Sequence, residues 1–153
     1  MKHSALLAAA ALTFGASVLS AQAHPAPGAH PASSTVVRVQ MKQKDASHYV
    51  FEPANLTIHQ GDIVEFVNVS GFPHNVGFTA SKIPAGAAEV LNKNMPNKTS
   101  SLLGPMMQTM NQSYRVSFAG APVGTYAYYC LPHQALGMTG VITVQAAGAA
   151  PRR

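Results

Sequence analysis

From about residue 35 the chain is dominated by short runs in which apolar and polar side chains alternate, a period of two that predicts β-strands with one buried face. The runs are Thr35 to Met41, Tyr49 to Phe51, Asn55 to Ile58, Ile63 to Asn68, Tyr114 to Phe118, Thr125 to Cys130 and Thr139 to Gln145. In the fourth, Glu65 and its alternates face away from the apolar side. Gln60-Gly61-Asp62 and the stretch from Gly120 to Gly124 supply turn residues between runs. No stretch carries a strong amphipathic helical pattern. The expectation is an all-β fold, an antiparallel sandwich of seven to eight strands and about one hundred residues.

One segment breaks the alternation. Thr79 to Gln112 contains Pro84, Gly86, Pro96, Gly104 and Pro105, and a short helical turn around Ala87 to Asn92 is the only regular element expected in it. An irregular loop of this length (about 79–112) in a compact domain either has a role of its own or wraps a sheet edge.

The chain ends read differently. Residues 1–23 run from Met1-Lys2-His3 through an Ala-rich apolar stretch to Ala21-Gln22-Ala23, the form of a cleaved secretory signal peptide. Thr13, Gly15 and Ser17 interrupt the stretch, which is weaker than a spanning helix requires, so no stable membrane insertion is expected. Residues 24–34 and 146–153 lack periodicity and read as flexible flanks of a single domain at 35–145. The mature protein is expected to be periplasmic or secreted.

Composition narrows the options. The 153 residues are 47% hydrophobic and 10% charged, which suits one globular domain. The net charge is +5, and removal of residues 1–23 takes away Lys2 alone among the charged groups. The basic residues are scattered, so no nucleic-acid partner is expected. With Cys130 as the single cysteine, no intrachain disulfide can form. A free thiol in an oxidising compartment is usually buried or committed to a metal.

The chemistry concentrates in Tyr128-Tyr129-Cys130-Leu131-Pro132-His133-Gln134-Ala135-Leu136-Gly137-Met138. Thiolate, imidazole and thioether at 130, 133 and 138 lie in one loop between two strands. A second imidazole, His74, follows a strand within Gly71-Phe72-Pro73-His74-Asn75-Val76. Taken singly, Met138 reads as core filler, His133 as a solvated loop residue and His74 as a strand-end residue bonded to a carbonyl. Together, two His, one Cys and a weak axial Met form a set suited to copper in an electron-transfer site. Met106, Met107 and Met110 form another thioether group, open to reading either as apolar cover or as a transient cuprous site. His24 and His30 could bind cupric ion adventitiously.

On Gly-Phe-Pro-His-Asn-Val (71–76) and Tyr-Cys-Leu-Pro-His-Gln-Ala-Leu-Gly-Met (129–138), the chain resembles the type 1 (blue) copper proteins, the plastocyanin-like branch in particular. Phe51 to Ile58 and Gly61 to Phe66 add weaker support. The resemblance runs from about Val36 to Gln145. It implies a Greek-key cupredoxin fold holding one type 1 copper ion by His74, Cys130, His133 and Met138. It also implies that Asn75 supports the ligands by its backbone N–H toward the sulfur and a side-chain amide tying the two ligand loops. Pro73 and Pro132, each preceding a ligand, restrict the backbone there. Electrons are expected to leave through His133 and a patch including Leu131, Pro132 and Leu136, with Tyr129 as a second route. One of Tyr128 and Tyr129 should face inward and the other outward.

Three functions compete on these residues. The first is a monomeric carrier of single electrons between a redox-protein donor and acceptor of cytochrome or oxidase type. The second is a periplasmic copper storage or delivery protein using the Met group and terminal histidines. An enzyme is the third, and it is disfavoured because Cys130 is flanked by Tyr129 and Leu131 instead of ligands for a further copper. The plant-type acidic patches are missing from the corresponding stretches, so a photosynthetic role is not implied and an acidic or apolar partner surface is expected.

Overall fold

The computed structural model describes residues 34–147. The signal peptide expected at 1–23 lies outside the described residues. So do His24 and His30, the flank 24–34 apart from Ser34, and the flank 146–153 apart from Ala146 and Ala147. The alternating runs form strands β1 (Val36–Gln43), β2 (Tyr49–Glu52), β3 (Asn55–His59), β4 (Ile63–Asn68), β6 (Ser113–Ser117), β7 (Gly124–Tyr129) and β8 (Thr139–Gln145). The two-residue strand β5 (Gly77–Phe78), too short to show a period, completes a set of eight.

The strands make two four-stranded sheets, ordered β2-β1-β4-β6 and β3-β8-β7-β5. The sandwich is mixed instead of wholly antiparallel, because β1 runs parallel to β4 and β3 parallel to β8. Parallel neighbours need a long crossover between them. Passage through the opposite sheet supplies one in each case, since only β1–β2 and β7–β8 join consecutive strands within a sheet.

Alternation places the core between the sheets. Along β8 the residues switch between exposed and buried with Gly140, Ile142 and Val144 inward. Val39 and Met41 of β1, Ile58 of β3, and Val64 and Phe66 of β4 meet them. Phe51, Phe66 and Tyr128 pack as one aromatic group, with Phe51 and Tyr128 centroids 4.6 Å apart and Phe66 and Tyr128 5.6 Å apart. Each buried phenol finds an acceptor: Tyr128 donates to the Ala54 carbonyl at 2.9 Å and Tyr126 to that of Pro122 at 2.6 Å.

The long segment from 79 to 112 covers a sheet edge. Its one α-helix, α1 (Ala87–Asn94), buries Ala87 and Leu91 and is tied to the end of β6 by Asn94, whose amide donates to the Ser117 and Ala119 carbonyls. The chain then runs beside β5, where Phe78 N–H donates to Leu102 at 2.9 Å and Gly104 N–H to Val76 at 2.8 Å. These bonds satisfy backbone groups that a two-residue edge strand would otherwise leave open. Of the three methionines, Met107 is buried in the core, whereas Met106 and Met110 are exposed.

Glu65 faces outward as its alternation requires, yet it is only 5% exposed. Arg38 and Arg115 flank it in register on β1 and β6 and cover it. Arg38 donates to one carboxylate oxygen through Nε at 3.0 Å and Nη2 at 2.9 Å, and Arg115 to the other at 2.9 Å. The Arg38 bonds, reinforced by Arg115, hold the Glu65 carboxyl below its ordinary range.

Two outcomes follow for stability. The depressed Glu65 pKa makes its contribution complete above the unfolded value near 4.5 and lost as pH falls through the folded value. Glu65→Gln is expected to cost about 1–2 kcal/mol at neutral pH and to flatten the acid limb of the stability curve, read by urea denaturation over a pH series. Gly140 presents the second case: a Cβ there would collide with the Ala54 carbonyl and lie 2.5 Å from the Tyr128 ring. Gly140→Ala is expected to lower the unfolding free energy by about 1–3 kcal/mol, read from the same denaturation midpoints.

Candidate metal centre

The site lies at one end of the sandwich, where two ligand-bearing loops meet. His74 precedes β5, and Cys130 follows β7. The antiparallel pairing of Gly77 with Tyr129 brings the two loops alongside each other. His74 is pinned again from its other side, donating its N–H to the Met107 carbonyl at 3.0 Å and accepting from Met107 N–H at 2.7 Å. Residues 131–136 form a 3-10 turn with Pro132 in its first positions, and the turn ends at Gly137 with φ +83°. Backbone bonds close the loop: His133 N–H to Cys130 carbonyl, Met138 N–H to His133 carbonyl and Cys130 N–H to Met138 carbonyl, each 3.1 Å.

This framework gathers three donor atoms. Cys130 Sγ lies 3.5 Å from His74 Nδ1 and 3.5 Å from His133 Nδ1, and the two Nδ1 atoms are 3.2 Å apart. His74, Cys130 and Met138 are fully buried, and His133 is 8% exposed. The His74 Nε2–H donates to the Ser70 carbonyl at 2.8 Å, which leaves Nδ1 as the ring's lone-pair nitrogen. A circle through three points with these separations has a radius of about 2 Å, the length of a metal–imidazole bond. The donors fit a mononuclear ion, and their softness fits copper. Backbone bonds tie Met138, itself fully buried, to Cys130 and His133.

The surroundings favour neutral groups in the metal-free chain. Burial pushes the Cys130 thiol up, opposed by the backbone N–H groups of Asn75 and His133. Burial likewise pushes His74 down, opposed by the Ser70 bond, and pushes His133 down with help from His74. Holding a metal would require the thiolate, which burial opposes, and the neutral imidazoles, which burial favours.

The residues expected from sequence fall as follows. Asn75 is buried, its side-chain oxygen accepts from Leu131 N–H at 2.8 Å, and its own N–H faces the sulfur. Pro73 and Pro132 are exposed beside their ligands. Tyr128 points into the core and Tyr129 is half-buried. Leu131, Leu136 and Phe72 are each between 40% and 48% exposed on the ligand loops. Sequence reasoning missed Ser70 and Met107, whose roles run through backbone atoms and leave no side-chain signal. It also missed Tyr49, whose ring stacks on His133 with centroids 3.7 Å apart and planes 5° apart.

A two-sheet sandwich with an N, N, S donor triangle at one end defines a cupredoxin. Residues 37–145 match the family described as "Copper binding proteins, plastocyanin/azurin family". The chain belongs to this plastocyanin/azurin family of copper-binding proteins, and its cofactor is copper in a type 1 site. It is 41% identical to a plastocyanin of Scenedesmus fuscus over 102 residues, which cover 66% of this chain and 92% of that relative. It is 36% identical to a plastocyanin of Synechococcus sp. (strain JA-2-3B'a(2-13)) over 115 residues, 75% of this chain and 77% of the relative. The solved oxidised plastocyanin of Dryopteris crassirhizoma superposes with a TM-score of 0.54 at 27% identity, covering 71% of this chain and all of that one. The family relation makes this chain a blue copper electron carrier.

Asn75 gives the site its test. Asn75→Ala removes the side-chain acceptor that ties the first loop to Leu131 of the second and strands Leu131 N–H. Unfolding of the metal-free protein should become easier by about 1–3 kcal/mol. Copper affinity, measured by chelator competition, should fall roughly 10- to 100-fold.

Proposed function

We propose that the chain is exported after residue 23 and ferries single electrons between two redox proteins, with His74 Nδ1, Cys130 Sγ, His133 Nδ1 and the Met138 thioether as the groups that would hold copper. The observation that carries this reading is the buried triangle of two imidazole nitrogens and the lone sulfur. Bound copper supplies one electron at a time by alternating between cuprous and cupric states. The protein's own task is to keep the donors nearly still. Backbone bonds at His74, Cys130, His133 and Met138 and the Asn75 tie do this. Burial of the donors excludes the water ligands that a hydrolytic metal would need.

Phe72, Leu131 and Leu136, exposed on the two loops that hold the donors, are read as the apolar contact through which His133 exchanges electrons. Tyr129, adjacent in sequence to the sulfur ligand and half-buried, is the second route. Four of the five acidic residues are engaged with cationic or histidine side chains: Asp45 with His48, Glu52 with Lys42, Asp62 with His59 and Glu65 with two arginines. The chain carries ten Lys and Arg against five Asp and Glu, so the surplus charge is positive, and the partner surface is read as acidic or apolar. Among the described residues no helix is long and apolar enough to cross a membrane. A storage or delivery role would call on the Met group, but Met107 is enclosed while Met106 and Met110 face solvent.

Addition of cupric salt to the purified protein should produce an intense visible thiolate-to-copper band and a reversible one-electron couple. Cys130→Ser should abolish the band. A colourless wild-type complex, or copper that exchanges within seconds with a weak chelator, would overturn the carrier reading.

A further inference from the structure

We infer that Tyr49 is a positioning residue for His133: its stacked ring fixes the rotation of that imidazole, so Nδ1 stays aimed at Cys130 and His74 with or without metal. This role rests on the copper reading above.

The two histidines are oriented by different means. A hydrogen bond from Nε2 to the Ser70 carbonyl locks His74. His133 sits on a short 3-10 turn, and its ring face lies flat against Tyr49 at 3.7 Å and 5°. The edge of His74 meets Tyr49 as well, with centroids 6.1 Å apart and planes at 68°. One phenol thus borders both imidazoles, which are themselves 4.8 Å apart.

The seat of Tyr49 is built by the hairpin and by the first ligand loop. Tyr49 opens β2 opposite Gln43 of β1, and Lys44 N–H closes the turn on the His48 carbonyl at 2.7 Å. Gln43 N–H donates to Ser70 Oγ at 3.1 Å, which ties the hairpin to the residue whose carbonyl holds His74. Gly71 comes next with φ +74°, and a Cβ there would lie 3.0 Å from the Tyr49 ring and collide with the Gln43 side chain. Only glycine accommodates both the backbone and the ring at this point. A ring held this way is already ordered before capture and does not have to be re-ordered when the charge on the metal changes.

The test compares Tyr49→Leu and Tyr49→Phe, with Tyr49→Met replacing the first should it fail to fold. In proton NMR spectra of the metal-free proteins, the His133 ring protons should be shielded by the facing aromatic ring in wild type and Tyr49→Phe. The shielding should be lost in Tyr49→Leu. In the copper-loaded proteins, release of cuprous copper to a chelator should be roughly two- to tenfold faster for Tyr49→Leu, the range that one aromatic contact spans, and should return to the wild-type rate in Tyr49→Phe. A fall in melting temperature with unchanged release would mean that Tyr49 only packs, and would overturn the proposal. Unshielded His133 protons in the metal-free wild type would overturn the stack itself. A wild type that keeps the shielding but binds no copper would instead sink the copper reading, and this role with it.

Discussion

Two imidazole nitrogens 3.2 Å apart, each 3.5 Å from one sulfur and all buried, set the constraint on which the rest of the molecule depends. Lone pairs aimed at one another in a dry pocket are costly unless a cation or a shared proton lies between them. The His74 bond to Ser70 commits Nε2–H elsewhere and turns the other nitrogen inward. Such crowding persists only if the surrounding structure leaves the donors nowhere else to go. Most of the local architecture can be understood as serving that end.

The two sheets contribute unequally. β7 and β8 frame the Cys130–Met138 loop, and β5 sets His74 against it through a single pair of residues. A two-residue strand is a weak anchor by itself. The segment 79–112 reinforces it from the far side, bonding His74, Val76 and Phe78 in turn through Met107, Gly104 and Leu102. Asn68 secures that segment, its amide donating to the Met107 and Thr109 carbonyls. An irregular stretch that interrupts the strand pattern is, in energetic terms, the outer wall of the metal pocket. The β1–β2 hairpin closes the opposite side by carrying Tyr49 over the ring of His133.

Much of this was legible in the sequence, and what was not has a physical reason. Strands with one buried face announce themselves by alternation, so β1, β4, β7 and β8 were visible from Val36, Ile63, Thr125 and Thr139 onward. Sheet order was not, because alternation identifies a buried face without naming the strand opposite, and the parallel pairs β1–β4 and β3–β8 went unforeseen. Cys130, His133 and Met138 were readable because one loop holds all three, and His74 because Pro73 and Asn75 surround it in a motif. Alternation turns Glu65 away from the apolar side but does not reveal its burial, because the two arginines that cover it come from strands distant in sequence. Tyr49 left no trace for the same reason: its partner is reached only through the folded hairpin. Ser70 and Met107 hold His74 through their backbone atoms, and no side-chain pattern encodes that hold.

Rigid enclosure also bears on which copper chemistry such a pocket suits. A delivery protein must let its ion leave, which favours ligands that are exposed or carried on a segment able to open cheaply. Here the sulfur and one imidazole are fully buried, and the second imidazole is 8% exposed. The two ligand loops are cross-tied by Asn75 to Leu131, and each is bonded again to a neighbouring element. Opening the pocket would break several of these bonds together and expose the buried Met138 side chain. Electron transfer needs no such opening, because no donor atom has to leave its place. The features that would obstruct release of an ion are those that keep the donor positions constant across a change of charge, and they favour a carrier of electrons over a courier of copper.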